Sequence, residues 1–371
     1  MKSFLSSVLF LSAAVSLSAQ TPEGFLATVQ KNFPNWDANQ DGILSAKELD
    51  TILNDAQTKN SAAAAAAALK RASHPGKGAP TPTWTPESIA AASAQKQPNL
   101  EVMYAQGLKR IAAAGDRALF ATGAPSMETI RQGKLGDCFC LAPLGALVHR
   151  DPAQAAGMFA LQSNGAYRIC LGKKTVEVTS PTDAEIAIGA ATGGGGIWVN
   201  LYEKAVGTAR NEDRPADRRV DSPLDAERGG SAGAMLAYLT GHPITRFSFK
   251  FAKAAETTLE EFAGKLADLR RQLADATQQN RLMTCGTITP TTPGLTPNHA
   301  YAVLGYDAAN DSVRLWNPHG QNFRPKGEPG PETGYPTANG IFQIPLEHFA
   351  RQFSGMAFEV AEEKAAPAGK T

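Results

Sequence analysis

Along residues 21–69 the apolar positions recur with the period of helices: Phe25, Leu26, Val29 and Phe33 fall on one face, and Leu49, Ile52 and Leu53 on another. Polar D-A-N-Q-D-G-I-L-S-A-K-E lies between them, and an alanine run, Ala62 to Ala68, continues the helical pattern. From His74 to Pro86, HPGKGAPTPTWTP, prolines and glycines break any regular element and predict a linker. A second helical stretch runs from Pro86 to about Ala118. From there to Val360 the pattern mixes helix and strand. YRICLGKKTVEVTS predicts a hairpin turning at Gly172-Lys173, and ATGGGGIWVNLYEKAVGTA a glycine loop feeding a helix. TLEEFAGKLADLRRQLADATQQN predicts a long helix with Leu259, Phe262, Leu266, Leu269 and Leu273 on its buried stripe. RLMTCGTIT, HAYAVLGYD, DSVRLWNP and NGIFQIPL then follow as strand-like runs.

Composition adds bounds to this pattern. The 371 residues are 43% hydrophobic and 19% charged, an ordinary globular mixture long enough for one large or two medium domains. Lys+Arg at 36 nearly balance Asp+Glu at 35, which gives no reason to expect nucleic acid as a partner. The first residues, MKSFLSSVLFLSAAVSLSAQ, have the grammar of a secretory signal peptide over 1–19, so a secreted or periplasmic location is expected. No later segment is apolar enough to span a membrane in the mature chain. The four cysteines, Cys138, Cys140, Cys170 and Cys285, are too scattered for a disulfide framework and lack zinc-site spacing.

Candidate chemistry begins at IRQGKLGDCFCLAPLGAL, Ile130 to Leu147. A glycine-punctuated loop delivers Cys138 at the start of an apolar helix, where free backbone N–H groups favour thiolate. NHAYAVLGYD puts His299 at the head of one strand, and VRLWNPHG puts Asn317 at the end of the next. An antiparallel turn through Ala308 to Asp311 brings those strand ends together. Nucleophile, base and orienting amide then stand in chain order. Gln132 can supply a side-chain N–H to an oxyanion, with the Cys138 backbone N–H as second donor.

These residues resemble the calpain-type cysteine proteases of the papain-like group. The match runs through Q-G-K-L-G-D-C at Gln132, LYEKAVG at Leu201, RGGSAGAMLAYLTG at Arg228, GLTPNHAYAVLGYD at Gly294, VRLWNPHG at Val313 and GIFQIPLEHFARQF at Gly340. The resemblance implies Cys138 as nucleophile, His299 as base, Asn317 as its orienter and Gln132 as oxyanion donor. Gly229 and Gly230 would form the backbone edge along which substrate lies, and Asn298 would line the pocket. It further implies an α+β, two-lobed core, with a helical lobe carrying Cys138 and a strand-rich lobe carrying His299 and Asn317. Phe139 and His319 stand where the family has tryptophan, so the indole that shields the His–Asn bond from water in the family is absent. Asn298 stands where glycine is usual and predicts a narrower pocket wall; Pro143 predicts a late start or a kink in the Cys138 helix. The expected function is a secreted cysteine endopeptidase acting on protein or peptide through a thioester. The alternatives are a transglutaminase- or amidase-type acyl transferase and a non-catalytic, protein-binding scaffold. No organic cofactor is called for.

The segment Asp37 to Glu48 reproduces the EF-hand calcium loop. Oxygen donors fall at Asp37, Asn39, Asp41, Ser45 and Glu48, Ile43 lends its carbonyl, and Gly42 permits the sharp turn. One Ca2+ is expected, acting on stability or exposure of the N-terminal segment rather than in the chemistry. The organisation expected from sequence is a signal peptide (1–19), an EF-hand-like segment (20–73), a linker with connecting helix (74–117), the core (118–362) and a tail (363–371).

Overall fold

The computed structural model describes residues 23–74, 81–96, 99–226 and 228–360. The expected signal peptide, the tail and part of the Pro-rich stretch lie outside the described residues. Helices α1 (Phe25–Trp36), α2 (Ala46–Asn54), α3 (Asn60–Ala72), α4 (Pro86–Ser93) and α5 (Leu100–Ala113) come first. Phe25, Val29 and Phe33 of α1 and Leu49, Ile52 and Leu53 of α2 are buried as the periodicity predicts, while Leu26 is only partly covered. The alanine run lies inside α3, and Ala63 to Ala68 are buried. Small residues are needed there because α5 comes close: a Cβ on Gly107 would lie 3.2 Å from the Ala64 Cβ.

The stretch expected to be a linker is, in its described part, structured. Trp84 is buried, donates its Nε1–H to Ser73 Oγ at 2.7 Å, and its carbonyl accepts from the Leu44 N–H at 2.9 Å. Leu44 and Trp84 thus form an antiparallel bridge between two helix–loop–helix halves, α1–α2 and α3–α4. Each bridging residue is followed at once by a capping box, Ser45 with Glu48 and Thr85 with Ser88. A composition rich in proline and threonine concealed the second half, because it carries none of the acidic residues by which the first is read.

The core follows, with α6 (Cys138–Arg150), α7 (Pro152–Ala156), α8 (Asp183–Ile188), α9 (Trp198–Glu212), α10 (Pro223–Ala226), α11 (Ala232–Thr240), α12 (Leu259–Gln278) and α13 (Leu346–Gln352). Strands β1 (Phe159–Leu161), β2 (Tyr167–Leu171) and β3 (Lys174–Val178) form a small antiparallel sheet, with the expected two-residue turn at Gly172-Lys173. The large sheet holds β4 (Ile244–Ser248), β5 (Met283–Gly286), β6 (Ala300–Asp307), β7 (Ser312–Trp316), β8 (Ile341–Pro345) and β9 (Gly355–Glu359) in the order β4-β9-β5-β6-β7-β8. This is the α+β architecture expected. No helix among the described residues is long and apolar enough to cross a membrane.

Two local expectations are corrected. Helix α12 buries Leu266, Leu269, Leu273 and Ala276, but Leu259 is 90% exposed and Phe262 only partly covered. Leu259 directly follows the N-cap Thr258, and the helix enters the core only after its first turn. Helix α6 does not start late: Cys138 is its first residue, the Asp137 carbonyl accepts from the Cys140 N–H at 2.8 Å, and Pro143 lies inside.

The N-terminal helices share their core with the rest of the chain rather than standing apart. Leu135, Ala184, Ala187, Ile188 and Leu224 belong to the same cluster as Phe25, Leu53 and Leu69. Thr182 Oγ1 donates to the Leu53 carbonyl at 2.6 Å, and the Asp183 carboxylate accepts from the Asn60 N–H at 2.8 Å and from Arg117 at 2.6 Å. Buried Lys70 pairs with Asp50 of α2 and, at 2.6 Å, with Asp225 of α10.

Helix α6 meets the large sheet at one tight contact. A Cβ on Gly145 would stand 2.2 Å from the indole of Trp316, the last residue of β7. Gly145→Ala gains about 1 kcal/mol of helix propensity but overfills a site with no free volume, where overpacking costs typically 1–3 kcal/mol. Net destabilisation is expected, read as a lower denaturant midpoint in equilibrium unfolding; an unchanged or higher midpoint would show that the indole moves aside freely.

Candidate active site

The loop before Cys138 is held from both sides. Arg131 and Ala191 exchange backbone hydrogen bonds at 3.0 and 2.8 Å, and the Gln132 N–H donates to the Pro318 carbonyl at 2.9 Å. Gly133 passes so near α8's end that a Cβ would stand 2.4 Å from the Gly189 carbonyl oxygen, and Gly136 turns at φ 77°. That is the role of the glycine punctuation: it lays the chain against two neighbours and turns it into α6 with Cys138 as the first helical residue.

His299 precedes β6 and Asn317 follows β7, and the antiparallel register Ala302 to Trp316 sets them side by side. His299 Nε2 and Asn317 Oδ1 are 2.8 Å apart, in a buried pair. The amide oxygen only accepts, so the ring donates its Nε2–H and keeps its basic lone pair on Nδ1. Asn317 Oδ1 also accepts from the His319 N–H at 2.9 Å. Cys138, Asn298 and His299 line one cavity of about 390 Å³, together with Gly230. Among the described residues no hydrogen bond joins Cys138 Sγ to the His299 ring.

The other expected residues differ in how they meet the cavity. Gly229 adopts φ 65°, and its carbonyl accepts from Arg210 at 3.0 Å. Gly230 lies on the Phe139 ring, where a Cβ would approach to 2.5 Å, and the Arg210 guanidinium covers that ring at 4.7 Å. Gln132 does not line the cavity; its amide neighbours the Asp137 carboxyl and its Oε1 is buried without a partner. Asn298 has φ 47°, the left-handed region that asparagine tolerates better than other non-glycine residues, which explains how it stands in glycine's place. His242 and His348 are held elsewhere, by Glu359 at 2.7 Å and Tyr335 at 2.5 Å.

The His299–Asn317 bond is shielded without an indole at either position. His319 stacks on His299 with ring centroids 4.5 Å apart and planes 4° from parallel, while Tyr301 meets the ring edge-on at 5.1 Å. The second imidazole covers the first as an indole would, but it can also carry charge. Burial, with a smaller contribution from the His319 charge and against the Asn317 bond, lowers the His299 pKa to about 4. Burial and Lys134 lower His319 as well.

Helix placement alone suggested a thiolate at Cys138; its surroundings reverse that. Burial pushes the thiol pKa up and the Asp137 charge adds to it, outweighing the Ala300, Phe139 and Cys138 N–H groups. Thiol and imidazole are therefore both neutral at rest. Sequence reading passed over Asp137 and Glu203, both fully buried. Asp137 does not cap its own helix; its carboxyl faces that of Glu203, which accepts from the Ala190 N–H at 2.8 Å and Asn200 Nδ2 at 3.1 Å. Burial raises both, and two adjoining carboxyls cannot both ionise, so the pair retains a proton. The sequence signal was present in the acidic residues of G-D-C and Y-E-K, but only the fold sets them together.

In the calcium-type loop the donors are all oxygen, which suits a hard cation. Glu48 Oε1 accepts from the Ala38 N–H at 2.9 Å, and Oε2 from the Ser45 N–H and Oγ at 2.8 Å. Burial alone would raise the Glu48 pKa, but hydrogen bonds from Ser45, Asn39 and Ala38 hold it low. Asp37 accepts from the Gly42 N–H at 2.8 Å, Asp41 from the Ile43 N–H at 2.8 Å, and Asn39 Oδ1 from the Asp41 N–H at 3.1 Å. The chemistry fits calcium. The three carboxylates, however, are each spent on backbone N–H groups, and among the described residues no three His, Cys, Asp or Glu side chains gather closely enough to hold a metal.

Titration of the His299 ring by NMR tests the stack. The native ring should titrate near pH 4, and His319→Phe, which keeps an aromatic cover but removes the charge, should move that titration upward. The stability sign follows: between pH 6.5 and about 4 the unfolded chain takes the proton first, so stability falls as pH drops through that window. An unmoved titration in His319→Phe would mean that the two rings do not interact electrostatically.

Comparison with protein-family models matches residues 84–328 to the calpain family cysteine protease model. The match begins at Trp84, ahead of the core boundary expected at 118, and so takes in α4 and α5. Comparison with curated proteins found no match. With Cys138, His299 and Asn317 assembled inside the matched span, the chain belongs to the calpain family of cysteine proteases.

Proposed function

We propose that this cysteine protease is a secreted endopeptidase that cleaves protein or peptide through a thioester at Cys138. The observation that carries the reading is the buried 2.8 Å His299–Asn317 bond at the edge of the cavity that Cys138 also lines. His299 Nδ1 takes the thiol proton as Cys138 Sγ attacks the peptide carbonyl carbon. The tetrahedral oxyanion is held by the Cys138 backbone N–H and by the Gln132 amide, once that amide turns from Asp137. As the C–N bond breaks, His299 returns the proton to the leaving amine. Water, deprotonated by the same ring, then opens the thioester.

Cys138→Ala should abolish cleavage of an unfolded protein, while Cys140→Ser, at a fully buried position away from the cavity, should retain it if the chain folds. Sequencing the fragments is the check, and equal fragment yield from Cys138→Ala would remove Cys138 from the chemistry. Incorporation of a primary amine without fragments would establish acyl transfer instead.

Calcium is proposed to act through the Asp37 to Glu48 loop on the N-terminal helices. Supporting this are the oxygen donor set and the shared core, in which Leu135 of the Cys138 loop packs with those helices. Glu48→Gln removes a carboxylate that supports both the loop and a capping box. Calorimetry on the full chain should show one calcium site, lost or weakened at least tenfold in Glu48→Gln; undiminished calcium binding in that variant would place the site elsewhere.

A further inference from the structure

The cavity that Cys138 and His299 share also takes in Arg246, Phe247, Ser231 and Met356. Its volume, about 390 Å³, is within the range of small-ligand pockets. Among the described residues that line it there is no aspartate and no glutamate, and Arg246 is the one side chain with a permanent charge. Arg246 sits mid-strand in β4, opposite Ala357 of β9. Its Nη1 donates to Ser231 Oγ at 3.4 Å, a long bond to a neutral group, and among the described residues no carboxylate pairs with it. Packing explains the position only in part: a Cβ on Gly233 would approach Nη1 to 3.1 Å, so the head group rests on the start of α11. A cation gains nothing from that end of a helix. Arg246 is exposed, so its guanidinium faces solvent at the cavity wall and is not tied up by a carboxylate of the described residues, whereas Arg117 and Arg150 are taken by Asp183 and Glu359, each at 2.6 Å.

We propose that Arg246 is a specificity residue that reads a carboxylate on the substrate, so that the enzyme selects peptides with aspartate or glutamate close to the scissile bond. The proposal rests on the peptidase reading above and adds the substrate class. Phe247 and Met356 give the cavity apolar walls for the methylene stem of such a side chain, and the guanidinium matches the planar carboxylate with paired N–H donors. The same chemistry could come from the C-terminal carboxylate of a peptide, which the test separates.

The experiment uses the full chain and matched peptides bearing Glu, Gln or Lys at each position flanking one cleavable bond, each made with a free and an amidated C-terminus. Hydrolysis by the native protein should favour Glu over Gln by roughly ten- to a hundredfold at one position, the range of a charge-assisted hydrogen bond, whether or not the C-terminus is amidated. Arg246→Gln should lose that preference, and Arg246→Glu should turn it toward Lys. In parallel, binding of the same peptides to Cys138→Ala reads Arg246 without chemistry. Glu-selective binding with no cleavage by the native protein would sink the peptidase reading and leave this one standing. Cleavage with no Glu preference, an unchanged ranking in Arg246→Glu, or selectivity that follows only the free C-terminus would overturn the assignment to an acidic side chain.

Discussion

The active site hangs on the contact between Gly145 and Trp316. Gly145 lies two turns along α6 from Cys138, on the same face, and Trp316 is the residue before Asn317. The indole pressed against a helix with no side chain at that point therefore fixes the distance from nucleophile to orienting amide. The helical half and the sheet half of the core meet there, and the Gln132 to Pro318 backbone bond adds a second fastening on the same seam. Neither is catalytic. Arg150, at the far end of α6, adds a third link to the sheet through Glu359 of β9 at 2.6 Å.

Around that seam the protein favours neutrality. Burial lifts the Cys138 thiol, depresses the His299 imidazole and keeps a proton in the Asp137–Glu203 pair. A desolvated site disfavours every charge that is not matched by an opposite one nearby, and beside His299 the described residues offer a second imidazole rather than a lasting counter-charge. Charge is thus created at the moment of attack, with the backbone N–H groups at the start of α6 already in place to receive it.

The N-terminal helices are joined to this arrangement by packing. Leu135 lies in the loop that delivers Cys138, yet its side chain is buried among residues of α1 to α5 and α8. Lys70 ties α3 to both α2 and α10 through two carboxylates. An event in the Asp37 to Glu48 loop therefore has a continuous, close-packed route to the nucleophile loop, through small residues of α3 that leave little room for slack.

What the sequence determined by itself was local and ordered along the chain: the period of α1, α2 and α12, the hairpin at Gly172-Lys173, and the pairing of strands that bring His299 to Asn317. These follow from backbone periodicity and from a short antiparallel turn, in which neighbours in space are near neighbours in sequence. The chain order of Cys138, His299 and Asn317 was legible as well, whereas α6 starts at Cys138 despite the late start that Pro143 predicted. Tertiary structure alone decided the rest. It covered His299 with His319, set Asp137 against Glu203, turned the Pro-rich stretch at Trp84 into the partner of the Asp37 to Glu48 loop, left Leu259 in solvent and placed Arg246 in the cavity. Each of these depends on residues far apart in sequence meeting in one place, and on how much water that meeting excludes. Periodicity carries no record of either, and so the thiol's pKa, which desolvation dominates, ran opposite to the direction its helix position suggested.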